Sequence, residues 1–239
     1  MSIERIKVID EKINSLNLQN KKLDEICQNY FGLIFVEENS EETDFGTHAE
    51  ISKGGTYRTS ELTNCDLGVP LHNLTSIFPG GGYRIDKIKY FRGKVLSRYI
   101  ANRGDLLILN SNSRLINNSI GFPGVIPKCF NISGIYGLSV NKLSVKESSY
   151  LNIQFFYYLL MTQKLRHQII LETKGVGFYH VFLEDFQTLK FNLPSREKIE
   201  EFTAFVDVCW KKKEVNYFLL MIFFKWKEKL KGVNSKYYQ

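Results

Sequence analysis

The sequence holds only four cysteines, Cys27, Cys65, Cys129 and Cys209, each far from the next. Without C-x-x-C spacing there is no zinc ribbon and no dithiol redox motif. A free cysteine on a helix face behaves as a small apolar residue, so all four are expected to be reduced and structural. Long apolar runs are missing too. The longest, Tyr217–Phe224, has eight residues, less than half of the roughly 20 that a membrane-spanning helix needs. The opening MSIERIKVIDEK is charged throughout and lacks the apolar core of a signal peptide. The expectation is a cytoplasmic chain with no membrane partner.

Catalytic signatures are equally scarce. There is no G-x-x-x-x-G-K-S/T phosphate loop and no G-x-G-x-x-G after a strand, and the triplet Gly80-Gly81-Gly82 is too irregular for either. The four histidines, His48, His72, His167 and His180, show no H-E-x-x-H or paired ligand spacing. A G-x-S-x-G elbow is absent, as is the Asn-Pro-Pro-aromatic tetrapeptide with which amino-methyltransferases grip a flipped base. Glu184-Asp185 is an acidic pair at a turn or helix start, where adjacent carboxylates are usually solvated. No catalytic residue, metal ligand or cofactor is expected. A nuclease built around Asp66, Asp105 or Glu184 is the residual catalytic reading.

What the chain does have is charge asymmetry and two seams. Residues 1–45 carry 5 basic and 10 acidic side chains, whereas residues 46–239 carry 27 basic and 15 acidic. The basic body suits a polyanion, because each Lys or Arg that neutralises a phosphate releases a counterion. The seams are helical. Ile6, Ile9, Ile13, Leu16, Asn20, Leu23, Cys27 and Tyr30 recur at alternating spacings of three and four, and so do Ile199, Phe202, Val206, Cys209, Lys213, Asn216, Leu220, Phe223, Lys227 and Leu230. A 3.5-residue repeat marks a helix packed along another helix. Ser2–Tyr30 reads as one helix ended by Gly32, and Ser195 reads as the N-cap of the last helix. Asn20 and Asn216 would fix register, while Lys213 and Lys227 interrupt the apolar seam.

Between them, the acidic stretch Val36–Thr47 reads as a surface linker. Strand-and-loop texture then runs to about Lys146, with strands expected near Val69–Leu71, Tyr90–Ile100, Leu106–Leu109, Ile120–Ile126 and Ile135–Val140. Tyr150–Glu172 reads as a helix whose aromatic stripe is core. Short strands follow near Tyr179–Phe182 and Leu189–Leu193. The fold class is α+β: one mixed α/β domain with a twisted sheet, flanked by two long helices that pair as an antiparallel coiled coil. Its boundaries fall at 1–32, 33–194 and 195–239.

Between positions 53 and 114 ten cations face four acids, with tyrosines and phenylalanines interleaved. Cations hold phosphates, and Arg, Asn and Ser side chains on loops read base edges. The loop Asn110–Asn118 (NSNSRLINN) has that inventory. The candidate DNA-binding residues are Lys53, Arg58, Arg84, Lys87, Lys89, Asn110, Asn112, Arg114, Asn117 and Lys174. A solvated basic surface is the plain alternative.

The order of these parts resembles half of the specificity (S) subunit of type I restriction–modification enzymes. IDEKINSLNLQNKKLDEICQNYF resembles that family's conserved-region helix, and Ile51-Ser52-Lys53-Gly54-Gly55-Thr56 its I-x-x-G-x-S/T opening of a target-recognition domain. Gly68–Asn73 (GVPLHN), Arg103–Ile108 (RGDLLI) and Ser119-Ile120-Gly121 follow in the family's order. Tyr150-Leu151, Phe156–Leu160 and Gly175–Val181 come next, and Leu193-Pro194-Ser195-Arg196-Glu197-Lys198-Ile199 matches the start of the second conserved helix. The resemblance covers nearly the whole chain. It implies a non-catalytic subunit that reads one half of a bipartite site in double-stranded DNA and docks modification (methyltransferase) subunits. Those subunits supply S-adenosylmethionine binding, and a restriction motor subunit joins through the complex. The family's recognition loops vary between members, so no base-contacting residue carries over.

The family pattern has two recognition domains and two helical regions; this chain has one of each, and Met1 falls inside the first conserved helix. A half-subunit that pairs with itself as a homodimer, one part of a split subunit, and a silent recombination cassette all fit. A helical adaptor with no role on DNA is the reading from a different class.

Overall fold

The computed structural model describes residues 2–35, 41–63, 67–112, 119–130, 133–176 and 179–231. Cys65, Asp66, Arg114 and Asn117 lie outside them. Two helices of 34 and 35 residues, α1 (Ser2–Phe35) and α6 (Arg196–Leu230), frame the domain. Each is about 50 Å long at 1.5 Å per residue. The Ser195 side chain accepts a hydrogen bond from the Lys198 amide and caps α6 as the sequence predicts.

The two helices pack antiparallel along their seams. Ile9, Ile13 and Leu16 of α1 are buried in one cluster with Tyr217 and Leu220 of α6. Cys27 and Phe31 are buried in another with Ile199, Phe202, Val206 and Cys209. Cys27 and Cys209 are free thiols, and burial pushes the Cys27 thiol up to about 12. Polar rungs cross the seam. The Asn216 amide donates to Asn20 Oδ1 at 2.8 Å, and Lys227 pairs with Asp10. Lys213 donates to both carboxylate oxygens of Asp24, at 2.6 and 2.8 Å. The two lysines that interrupt the apolar pattern are therefore the cationic halves of cross-helix ion pairs.

The first helix passes through Gly32 and ends at Phe35. Phe31 and Phe35 stack against Phe155 and Phe202 with ring centroids 5.3–5.5 Å apart, which outweighs the roughly 1 kcal/mol that a helical glycine costs. The part of the acidic linker that is described is also structured. Its strand β1 (Glu42–Asp44) pairs with β13 (Lys190–Asn192), and Phe45 opens a short turn of helix, α2 (Phe45–His48), fully buried.

The β material divides into two main sheets. One has the order β3 (Leu62–Thr63), β5 (Lys89–Phe91), β4 (Val69–His72), β10 (Gly134–Tyr136), β6 (Ile100–Ala101). The other has β2 (Ala49–Lys53), β11 (Val140–Val145), β7 (Leu106–Leu109), β9 (Pro123–Val125). Among the described strands of these two sheets β4 and β10 pair in parallel, and the other ladders are antiparallel. The single strand expected over Tyr90–Ile100 is two strands, because the chain turns at Gly93, where a Cβ would lie 2.4 Å from the Phe91 ring. Ile135–Val140 is likewise a strand of each sheet joined by a turn, with the Val140 amide bonded to the Gly137 carbonyl at 3.0 Å. His72, Tyr83 and Phe130 pack edge to face within the domain. Full burial holds the His72 imidazole down near 3.

The helix expected over Tyr150–Glu172 is two, α3 (Ile153–Leu159) and α4 (Gln163–Leu171). The chain breaks at Leu160–Thr162, and Thr162 caps the second piece. The aromatic stripe is core, as predicted: Phe155, Phe156, Tyr157 and Tyr158 are at most 1% exposed. It also docks the helix pair. The Tyr157 and Tyr158 hydroxyls donate to the Asp24 carboxylate at 3.1 and 3.0 Å, and Trp210 Nε1 donates to the Tyr158 hydroxyl at 3.0 Å. Further along α6, the Tyr83 amide donates to the Tyr217 hydroxyl at 3.4 Å and the Lys128 amide to Glu214 at 2.8 Å. The helices thus lie along the domain for much of their length, not as free arms.

Removing Lys213 leaves a buried carboxylate without its counter-charge, a change that costs about 3–5 kcal/mol. Lys213→Ala is expected to lower unfolding stability by that order, read from denaturant titration. Replacing Asp24 and Lys213 together by Leu is expected to recover most of the loss.

Candidate nucleic-acid interface

Strand β2 ends at Lys53, directly opposite Asn141 of β11. The chain then crosses to the other sheet through Gly54 and Gly55. A Cβ at Gly54 would stand 2.1 Å from the Gly137 carbonyl oxygen, and one at Gly55 would meet the Tyr99 ring at 2.8 Å. The Gly55 amide donates to the Tyr136 carbonyl at 2.9 Å. Only glycine lets two backbones come this close, and the contact fixes where Lys53 stands.

Asn110 follows β7 on the far side of β11. Its backbone is tied at both ends, donating to the Ser139 carbonyl at 3.1 Å and accepting from the Val181 amide at 3.0 Å. Its side-chain amide donates to the Leu138 carbonyl at 2.9 Å and to Asn141 Oδ1 at 2.7 Å. The short strand β8 (Ser111–Asn112) then pairs with β12 (Tyr179–His180). Lys174 and His180 exchange backbone hydrogen bonds at 2.9 Å in each direction, which closes the turn between α4 and β12. Helix α5 (Leu183–Gln187) starts at Phe182, so the strand expected over Tyr179–Phe182 stops at His180.

These elements enclose a cavity of about 500 Å³ lined by Lys53, Asn110, Ser111, Asn141, His180 and Glu184, among others. Asn110, Ser111 and Asn141 are buried, Lys53 is exposed, and Phe182 is half exposed at the rim. Four candidates from the sequence converge here: Lys53 and Asn110 in the lining, and Asn112 and Lys174 through the pairing of β8, β12 and the turn before it. Lys174 is engaged in an ion pair with Asp185 at 3.0 Å and lies over the Phe182 ring.

The others lie elsewhere. Arg58 is exposed at the turn before β3, its amide bonded to Glu61 at 2.7 Å. Lys89 is exposed on β5 of the same sheet. Arg84 and Lys87 share one carboxylate, Asp86, at 3.3 and 3.9 Å, and Arg84 also covers the Phe78 ring. Their charge is thus partly answered within one turn. Arg114 and Asn117 fall outside the described residues.

Asn141, His180 and Glu184 were not singled out as DNA contacts by the sequence. Asparagine is depleted in strands, so an Asn inside Val140–Val145 is the signal that could have marked the first of them. Glu184 is noticeable only as half of an acidic pair.

A larger cavity, about 770 Å³, lies between α1 and the Phe78–Gly82 loop. Gly80, Gly81 and Gly82 all take φ near +95°. The Gly81 and Gly82 amides are spent on the Phe78 and Pro123 carbonyls, at 3.0 and 2.9 Å, so this loop is no phosphate cradle. None of the eight described candidate residues lines it. Among the described residues, no cluster of His, Cys, Asp and Glu could hold a metal ion, and no helix is long and apolar enough to cross a membrane.

No family model and no curated protein matches the chain. Solved structures match its fold nearly end to end. The type I restriction–modification S subunit from M. genitalium aligns with a TM-score of 0.59 at 14% identity, covering 99% of this chain and 59% of that one. The HsdS subunit from Thermoanaerobacter tengcongensis aligns at 0.50 and 14% identity, covering 99% and 56%. A chain from the type I system solved for its complex assembly and conformational transition gives 0.52 and 15%, covering 98% and 56%. The chain has the fold of a type I specificity subunit. It spans a little over half the length of these structures, one mixed α/β domain with one pair of long helices.

Gly54→Ala is expected to force the β2 crossover away from Gly137 and to lower stability by about 1–3 kcal/mol, measured by thermal unfolding. An unchanged Tm would mean that the crossover can move, and that Lys53 is not held by it.

Proposed function

We propose that this protein is a sequence-specific DNA-recognition subunit, a half-length S subunit of a type I restriction–modification complex. The observation that carries the reading is the fold correspondence over 98–99% of the chain with specificity subunits. In this reading residues 33–194 form the target-recognition domain, and residues 1–32 and 195–239 form the conserved helices. The domain reads one half of a bipartite double-stranded site. Lys53, Arg58 and Lys89 hold phosphates, Arg84, Lys87 and Lys174 add to the basic field, and Asn112, Arg114 and Asn117 supply amide and guanidinium groups to base edges. Asn110 acts from the cavity wall, its amide already donated to Leu138 and Asn141. The subunit itself is not catalytic. Partner methyltransferase subunits modify adenine, and a motor subunit joins through them.

The helices supply the docking face. On α6, Phe205, Val208, Val215, Phe218 and Trp226 are 37–68% exposed. They recur at helical spacing, and their positions fall between those of the buried α1 seam. An apolar stripe on an already paired helix supports docking of a further helical partner. A second copy of this chain, or the other part of a split subunit, supplies the missing half-site.

The test is DNA binding by the complex assembled with its methyltransferase partner, titrated across salt. Affinity is expected to fall steeply with salt, with a log–log slope of about −0.9 per phosphate contact. The triple variant Lys53→Ala, Arg58→Ala, Lys89→Ala is expected to bind at least about tenfold more weakly with a shallower slope. Unchanged affinity would favour a helical adaptor whose basic surface is incidental.

A further inference from the structure

Asn141 is 1% exposed and stands in a strand, opposite Lys53. The orientation of its side-chain amide follows from its neighbour. Asn110 Nδ2 donates to the Leu138 carbonyl and to Asn141 Oδ1. An oxygen of Asn141 must therefore face Asn110, which turns its Nδ2 the other way. That nitrogen is buried and has no hydrogen-bond partner. Buried donors are almost always satisfied, and this one belongs to a residue lining the 500 Å³ cavity. A cavity of that size lies within the range of small-ligand pockets, about 300–1,000 Å³.

The remaining walls narrow the ligand. His180 and Phe182 meet edge to face at 4.6 Å, and the half-exposed Phe182 ring, with Lys174 over one face, adds apolar surface at the rim. Glu184 contributes an acceptor, Ser111 a hydroxyl, and the exposed Lys53 a cation at the mouth. A donor in the lining, an acceptor beside it, an aromatic ring and a rim cation together suit a planar heterocycle carried on a phosphate chain. A base still stacked in duplex DNA presents only its groove edge, and a side chain buried to 1% cannot extend into a groove. A base outside the stack can enter.

We propose that this cavity takes an unstacked nucleobase, with Asn141 Nδ2 donating to a ring nitrogen or carbonyl of the base and Lys53 holding the flanking phosphate. The proposal rests on the DNA-recognition reading and adds that one base is read outside the helix.

The test uses the full chain and four deoxynucleosides, with deoxyribose 5-phosphate as the base-free control. Binding is followed by NMR of the asparagine side-chain amides. At least one nucleoside is expected to shift the Asn141 Nδ2 hydrogens, and the sugar phosphate to leave them in place. Asn141→Asp keeps the oxygen that Asn110 needs and replaces the donor by an acceptor. It is expected to lower the melting temperature, because it buries a carboxylate, and to weaken nucleoside binding about tenfold when read well below that temperature. Lys53→Ala is expected to spare nucleosides and weaken a short single-stranded oligonucleotide. No shift at Asn141 with any nucleoside, or an equal shift with sugar phosphate, would overturn the proposal and leave a cavity filled by water alone. Duplex binding by the assembled complex separates the two readings. Wild-type binding with an Asn141→Asp variant that selects the same sites overturns the base pocket alone, whereas no duplex binding at all overturns the recognition reading.

Discussion

The buried carboxylate of Asp24 is the point on which the rest of the structure depends. It accepts from Lys213 of α6 and from Tyr157 and Tyr158 of α3, so one side chain of α1 joins both long helices to the core of the domain. A carboxylate at 8% exposure is tolerable only when its oxygens are fully used. Its four hydrogen bonds come from three side chains on two other elements, so any slip in register leaves charge unpaired. Asn20–Asn216 and Asp10–Lys227 extend the same register toward the far end of the helices. Apolar packing makes the pair stable, and the polar rungs choose one alignment among the many that a greasy seam would permit.

This rigid coupling bears on the proposed recognition role. The helix pair can set the spacing between two recognition domains only if each domain is fixed relative to its helices. The contacts of α6 with Tyr83 and Lys128, together with the Asp24 node, make that connection at several points. The candidate interface lies where β2 and β7 end and β11 begins, and where the chain crosses over at Gly54 and Gly55. One surface is thus available for nucleic acid, while the exposed stripe of α6 is available for protein.

The long-range parts of this fold were legible where a period repeats often enough to average out its exceptions. Both helices, their antiparallel pairing and the Ser195 cap could be read directly. Lys213 could not be interpreted, because its partner Asp24 lies one position beside the seam residue Leu23, and nothing local announces a buried ion pair 189 residues away. Element ends failed for a similar reason. Gly32 is a stop signal by propensity, and the Phe31 and Phe35 rings override it through contacts that exist only in the folded chain. Phe45 turned an acidic linker into structure in the same way. At the candidate interface, Lys53 and Asn110 were legible as candidates through charge and amide content. Asn141 was not, because its importance comes from the hydrogen bond that Asn110 makes to it across the sheet.

In the proposed function this chain directs methylation to a particular DNA site. Methylation-aware sequencing of the host genome, with the gene intact and with it deleted, tests this most directly. One split adenine-methylation motif is expected to disappear on deletion and to return on complementation. An unchanged methylation pattern, in cells where the protein and its methyltransferase partner are both present, would contradict it.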